Sequence, residues 1–163
     1  ADGADVSDLV PADPRIRLIG PSNARTVGGK RNFGCHAARG QIICHWDDDD
    51  WSGPERIADQ VGRLLSSGKA VTGYHTMRFT SGSQWWRYRG MPNYALGTSL
   101  CFLHSWWVGH QFRELQVGED NAFVFEASVA HQLAVADAGD LMYATIHAAN
   151  TSPRQIGDGW ERL

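Results

Sequence analysis

No apolar run in this sequence approaches the roughly 18 residues that a membrane-crossing helix needs, so no membrane span is expected. Cysteine is scarce. Cys35, Cys44 and Cys101 are odd in number, far apart and without a C-x-x-C spacing, which argues against both a zinc site and a disulfide framework. Thiols used so sparingly fit a reducing compartment, and the expected location is the cytoplasm. Positive charge does not predominate either: 15 Lys and Arg stand against 18 Asp and Glu, for a net charge of −3. There is no basic stripe, so nucleic acid is not an expected partner. Internal repeats and low-complexity tracts are also missing, and no secretory leader is expected.

What is present is an ordinary globular composition, 42% hydrophobic and 20% charged, in 163 residues. That length suits one domain over residues 1–163 with a hydrophobic core. Tryptophan is plentiful, with seven residues. Such rings line clefts that hold sugars, or they pack cores and rims.

Periodicity predicts alternating elements. Arg15–Ile19 alternates like a short strand. Lys30–Arg39 reads as a helix with Phe33, Ala37 and Ala38 inward and Gly40 as its stop. Gln41–Trp46 is a short apolar run suited to a buried strand. Ser52 and Glu55 have the spacing of a capping box and open a helix that Gly68 ends, with Ile57, Val61, Leu64 and Leu65 inward. Strands are expected over 69–80 and 84–89, around the turn Ser81-Gly82-Ser83, and again over 96–103. Asn121–Leu133 reads as a helix with Ala122, Phe125, Val129 and Leu133 on one side, and Leu141–Ile146 as a last strand. This alternation makes an α/β domain, and the hairpin makes its sheet mixed.

Four consecutive aspartates, Asp47 to Asp50, repel one another, and on a solvated loop they would be a plain surface charge run. Their placement argues for more. They follow a buried strand and precede a helix, which is where open α/β sheets build ligand sites. On an extended segment Asp47 and Asp49 point to one side. Oxygen ligands of this kind suit Mg²⁺ or Mn²⁺, which can bridge phosphate oxygens and neutralise a departing diphosphate.

Gly29-Lys30-Arg31-Asn32-Phe33-Gly34-Cys35, Ala37-Ala38-Arg39-Gly40-Gln41-Ile42-Ile43, Trp46-Asp47-Asp48-Asp49-Asp50-Trp51 and Pro54-Glu55-Arg56-Ile57 together resemble family 2 glycosyltransferases of the GT-A fold. The order and spacing match that family's R-N-x-G helix, A-x-G-x-x-I segment, D-x-D-D element and P-E pair. The resemblance implies a GT-A-like, Rossmann-like mixed sheet flanked by helices. It implies metal-dependent, inverting transfer of a sugar from a nucleotide-diphosphate donor, first of all a UDP-sugar, to a hydroxyl acceptor, with Mn²⁺ or Mg²⁺ as cofactor.

Residue by residue, the resemblance has Asp49 contacting the metal and Asp47 holding the ribose or the metal's shell. Lys30, Arg31 and Asp48 lie near the nucleotide sugar. Asp2-Gly3-Ala4-Asp5 resembles the tail of the family's D-D-G-S-x-D element and places Asp2 and Asp5 beside the nucleotide. Gly118-Glu119-Asp120-Asn121 matches the family's E-D pair at a helix start, which makes Asp120 the general base and Glu119 the second choice. His147, in an H-x-x-N-T segment, completes the metal shell or touches the diphosphate. Family segments upstream of Ala1 have no counterpart here, so an N-terminally truncated domain is expected. The chain is then a fragment, or a second copy or complementing chain completes its sheet. The alternative function is a non-catalytic module that binds nucleotide sugar and metal.

Overall fold

The computed structural model describes residues 7–20, 25–152 and 155–163. In chain order its strands are β1 (Ile42–Cys44), β2 (Trp51–Ser52), β3 (Val71–Ser81), β4 (Gln84–Arg89), β5 (Cys101–Leu103), β6 (Leu133–Asp137), β7 (Met142–Thr145) and β8 (Trp160–Arg162). Its helices are α1 (Val27–Ala37), α2 (Arg56–Ser67), α3 (His104–Gly109) and α4 (Glu119–Val129).

The β-branched and aromatic residues of β3 make it the longest strand, and everything else pairs around it. The turn at Gly82, with φ at 59°, sends β4 back antiparallel, with Thr76 opposite Arg89 and Ser81 opposite Gln84. On the same side the start of β3 pairs antiparallel with β5, which continues to β1. On its other side β6 and then β7 lie parallel to β3, with a register shift between Tyr74 and Thr76. β2 pairs with β7, and β8 closes against β4. Among the described residues the result is an eight-stranded mixed sheet flanked by helices. One core group packs Val71, Leu100, Phe102, Phe112, Phe123 and Trp107 between this sheet and α1, α3 and α4. A second packs Tyr74, Met77, Phe79 and Met142 further along β3. Each such large side chain, when fully buried, contributes about 1.5–3 kcal/mol.

The structure corrects several local expectations. Residues 15–19 form no strand; Ile16, Leu18 and Ile19 are exposed and find no partner strand among the described residues. Helix α1 starts at Val27 because Thr26 Oγ1 accepts from Gly29 N at 3.1 Å and caps it. Its buried positions are Gly28, Gly29, Asn32 and Cys35, and Phe33 faces out. No capping box forms at α2: Glu55 makes no capping bond, and Ser52 Oγ instead accepts from Arg56 Nη1 at 2.7 Å. The buried residues of α2 are Arg56, Gln60 and Leu64, while Ile57 and Leu65 are exposed. Gly68 does end it, at φ 64°.

The stretch 96–103 splits into a 3-10 turn at Gly97–Ser99 and β5. Helix α4 stops at Val129, and Leu133 begins a strand after His131 turns the chain at φ 56°. Phe123, Val124 and Ala127 are its inner face, and Phe125 and Val129 point to solvent. α3 and β8 have no counterpart in the predicted elements. No helix among the described residues is long and apolar enough to cross a membrane.

Candidate active site

The acidic run is carried at the C-terminal end of β1. His45 N donates to Leu100 O at 2.8 Å, so pairing with the neighbouring chain continues one residue past the strand before the run begins. Asp50 is the anchor of the run. Its Oδ2 accepts from Thr98 Oγ1 and its Oδ1 from Thr145 N at 3.0 Å. Burial pushes the Asp50 carboxyl above the ordinary range. The two hydrogen bonds oppose this, and the charges of Asp47 and Asp49 add to it. One carboxylate oxygen from each of Asp47, Asp49 and Asp50 lies within 4.8 Å of the others.

A second arm comes from beyond β7. Ile146 N donates to Thr80 O at 2.7 Å, which fixes where the chain leaves the sheet. His147 N then donates to Asn150 Oδ1 at 2.8 Å, folding H-x-x-N into a tight turn. Both side chains of that turn reach one oxygen: His147 Nε2 lies 2.8 Å from Asp49 Oδ2, and Asn150 Nδ2 donates to it at 3.1 Å. His147 Nδ1 accepts from Ala149 N at 3.2 Å, and Asn150 Nδ2 also lies 3.1 Å from His147 Nε2.

The third side is α1 with the start of α4. Asn32 holds α1 in place: its amide donates to Phe112 O at 2.8 Å and accepts from Phe112 N and Trp107 Nε1, each at 3.0 Å. Its neighbour Arg31 then reaches Glu119 Oε1 through Nε at 2.9 Å and His45 Nδ1 through Nη1 at 2.8 Å. Burial, then the charge of Arg31, hold His45 well below its ordinary 6.5; a hydrogen bond to the Gly97 backbone opposes this, and Arg56 adds to it. The imidazole is therefore neutral, and Nδ1 accepts from the guanidinium. Glu119 is buried and fully turned to Arg31. Asp120, next to it, accepts from Asn121 N at 2.8 Å and packs its carboxylate onto Gly97. A Cβ at Gly97 would stand 1.9 Å from Asp120 Oδ2, so this approach requires glycine.

These arms enclose one cleft of about 760 Å³, of the size that holds a small-molecule ligand. Arg31, Asp47, Asp48, Asp49, Glu119, Asp120 and His147 all line it. Lys30, one position before Arg31 on α1, is exposed and does not line it. Asp2 and Asp5 lie outside the described residues. Asp50 and Asn150 stand in the predicted acidic run and H-x-x-N-T segment without a role of their own, and Thr98 and Gly97 join the site through the fold. The H-x-x-N spacing was a visible signal for Asn150, but nothing local marks Thr98 as the partner of Asp50.

The profile of glycosyl transferase family 2 matches residues 3–130. The chain belongs to glycosyl transferase family 2. Succinoglycan biosynthesis protein ExoO of Rhizobium meliloti (strain 1021) is 41% identical over 71 residues, which are 40% of this chain and 20% of ExoO. Among solved structures, S. aureus TarS 1–349 superposes with a TM-score of 0.59 at 19% identity, covering 76% of this chain and 41% of that one. TarS 1–349 in complex with UDP-GlcNAc has a TM-score of 0.59 at 18% identity, over 80% of this chain and 42% of that one. This family 2 chain thus spans a fifth of ExoO and about two-fifths of these TarS chains. Its sheet and flanking helices are GT-A-like, as the family resemblance implies.

Proposed function

We propose that the chain carries out metal-dependent, inverting transfer of a sugar from a nucleoside-diphosphate donor to a hydroxyl acceptor. The observation that carries this reading is the convergence, on one cleft, of three carboxylates with His147 on one wall and Asp120 on another. Hard carboxylate oxygens with one imidazole fit Mn²⁺, and the oxygens alone fit Mg²⁺. Asp47, Asp49 and His147 would hold the ion, while Asp50 is committed to Thr98 and Thr145. A bound ion would supply charge neutralisation at the diphosphate. UDP-GlcNAc is bound by TarS, and a UDP-sugar is the first donor to test.

The protein's own groups do the remainder. Asp120 accepts the proton of the acceptor hydroxyl as that oxygen attacks the anomeric carbon, opposite the departing diphosphate, which inverts the configuration. Glu119 is less well placed to meet the acceptor, because its carboxylate is buried and engaged by Arg31. Arg31, turned toward the cleft, brings positive charge near the diphosphate, and Asp48 on the rim meets the nucleotide sugar.

The test is a screen of nucleotide sugars for Mn²⁺-dependent thermal stabilisation, followed by a transfer assay. Asp49→Ala is expected to remove the metal dependence of donor binding. Asp120→Asn is expected to bind donor and stop transfer. Donor binding by Asp49→Ala with unchanged metal dependence would overturn the site. Metal-dependent binding without transfer or donor hydrolysis in the unaltered chain would favour a binding module that a second copy or complementing chain completes, and a mass measurement in solution would reveal that assembly.

A further inference from the structure

Two of the three cysteines, 57 residues apart in sequence, meet across a strand pair. β1 and β5 place Cys44 directly opposite Cys101, with the Sγ atoms 3.2 Å apart and sharing a hydrogen bond. The register of this pair matters. His104 N donates to Gln41 O and His45 N to Leu100 O, each at 2.8 Å, and hydrogen-bonded pairs alternate with unbonded ones along an antiparallel ladder. Cys44 and Cys101 therefore occupy an unbonded position, where Cα atoms approach to about 4.5 Å and facing side chains are closest. That spacing lies inside the range of about 4.4–6.8 Å that a disulfide accepts. From 3.2 Å, the sulfurs have about 1 Å to close to reach the roughly 2.05 Å of a bond.

The two thiols differ in access. Cys101 is fully buried and Cys44 only half so, which makes Cys44 the sulfur an outside reagent meets first. The bond shared with Cys101 holds the Cys44 thiol below its ordinary value, with help from the charge of Arg56 and against burial. The same bond, together with burial, pushes Cys101 far up. Cys35 is a built-in control: it is 2% exposed, and burial raises it to about 12. Neither Cys44 nor Cys101 lines the cleft, and the function proposed above uses neither.

We propose that Cys44 and Cys101 form a reversible cross-strand disulfide, made by exchange with a small disulfide such as oxidised glutathione. The Cys44 thiolate attacks one sulfur of oxidised glutathione. Its S–S bond breaks, and the first glutathione leaves as a thiolate that takes up the Cys44 proton. The Cys101 sulfur then attacks Cys44 Sγ, the Cys44–glutathione bond breaks, and the second glutathione leaves with the Cys101 proton. The protein is oxidised by two electrons and loses two hydrogens, and one oxidised glutathione becomes two reduced ones. The new bond closes at the root of the acidic loop. It links strand ends that Arg56 Nη2 already bridges by donating to His45 O at 2.8 Å and Thr98 O at 3.1 Å.

The experiment equilibrates the folded, reduced chain in glutathione buffers of rising oxidised fraction, quenches with an alkylating agent and reads intact mass. The expected product lacks two hydrogens and keeps one alkylatable thiol, which peptide mapping places at Cys35. Dithiothreitol restores all three thiols. Cys101→Ser is expected to trap one glutathione on Cys44, and Cys44→Ser to take up none. The oxidised form is expected to unfold at a higher urea midpoint than the reduced form. Three alkylatable thiols at every poise would overturn the proposal. So would a glutathione adduct that persists on the unaltered chain without closing, or a lowered midpoint on oxidation. None of these readings depends on glycosyl transfer.

Discussion

Asp120 and Glu119 are adjacent carboxylates with different surroundings, and those surroundings separate their roles. Glu119 is buried and ion-paired with Arg31 at 2.9 Å, whereas Asp120 rests on the bare Cα of Gly97. Removing one partner of a buried pair strands the other, at a cost of about 3 kcal/mol. Glu119→Ala is thus expected to lower the unfolding free energy in urea by about that amount, with Asp120→Asn changing it little. Gly97→Ala tests the same corner by sterics. The new methyl has no room beside the carboxylate, so Asp120 must move. A displacement of about 1 Å at a reacting group costs about 10²-fold in rate. Turnover is expected to fall by about that factor while the KM for donor stays unchanged, as steady-state kinetics would report. The E-D pair was legible in the sequence. The distinction between its members was not, because it rests on Arg31 and Gly97, which arrive from other elements.

At the scale of elements, hydrophobic periodicity located helices well and their inner faces badly. α2 explains why. The side it turns inward carries Arg56 and Gln60, because the ends of β1 and β5 present backbone carbonyls that need donors. Arg56 donates to the carbonyls of His45 and Thr98, to Ser52 Oγ and to Gln60 Oε1, and stacks over the Trp46 ring at 4.5 Å. Gln60 donates to Ser99 O. Such a face scores as polar in any count of apolar residues, and Ile57 and Leu65 are left exposed on the other side. Arg56→Met is expected to leave these carbonyls unsatisfied and cost about 3 kcal/mol in urea denaturation. It is also expected to weaken Mn²⁺-dependent stabilisation, since the strand ends that carry Asp47 to Asp50 lose their clamp. α1 shows the same principle by a different route. Gly28 is buried because a Cβ there would lie 1.8 Å from Arg113 O, so the helix packs through its smallest residue.

Across the whole molecule, β3 joins segments that are far apart in sequence, and ion pairs reinforce those joins. Arg87 on β4 donates to Asp137 at the end of β6, which also accepts from Gly139 N at 2.9 Å. Burial pushes the Asp137 carboxyl up, but these two bonds and the Arg87 charge outweigh it and leave the group below its usual range. A carboxylate depressed by folding contributes stability above its unfolded value, about 3.9, and loses it as pH falls through the lower folded value. The pair is half-exposed, so its share is at most about 1 kcal/mol. Asp137→Asn is expected to lower stability at pH 6 by that much and to match the unaltered chain at the acid end, as urea melts across this range would report.

By itself, the sequence determined what short-range pattern encodes: alternating strands and helices, the hairpin at Gly82, the αL stop at Gly68, the acidic run after β1 and the family signature around it. Only the tertiary structure decided which of those aspartates is tied down, which member of the E-D pair is buried, and that two distant cysteines face each other. The physical reason is the same in each case. A side chain's neighbours across a sheet are set by strand register, and register comes from packing the whole sheet. Thr98 finds Asp50 and Cys44 finds Cys101 only once β5 has settled between β1 and β3, and Arg31 finds Glu119 only once α1 has packed beside α4.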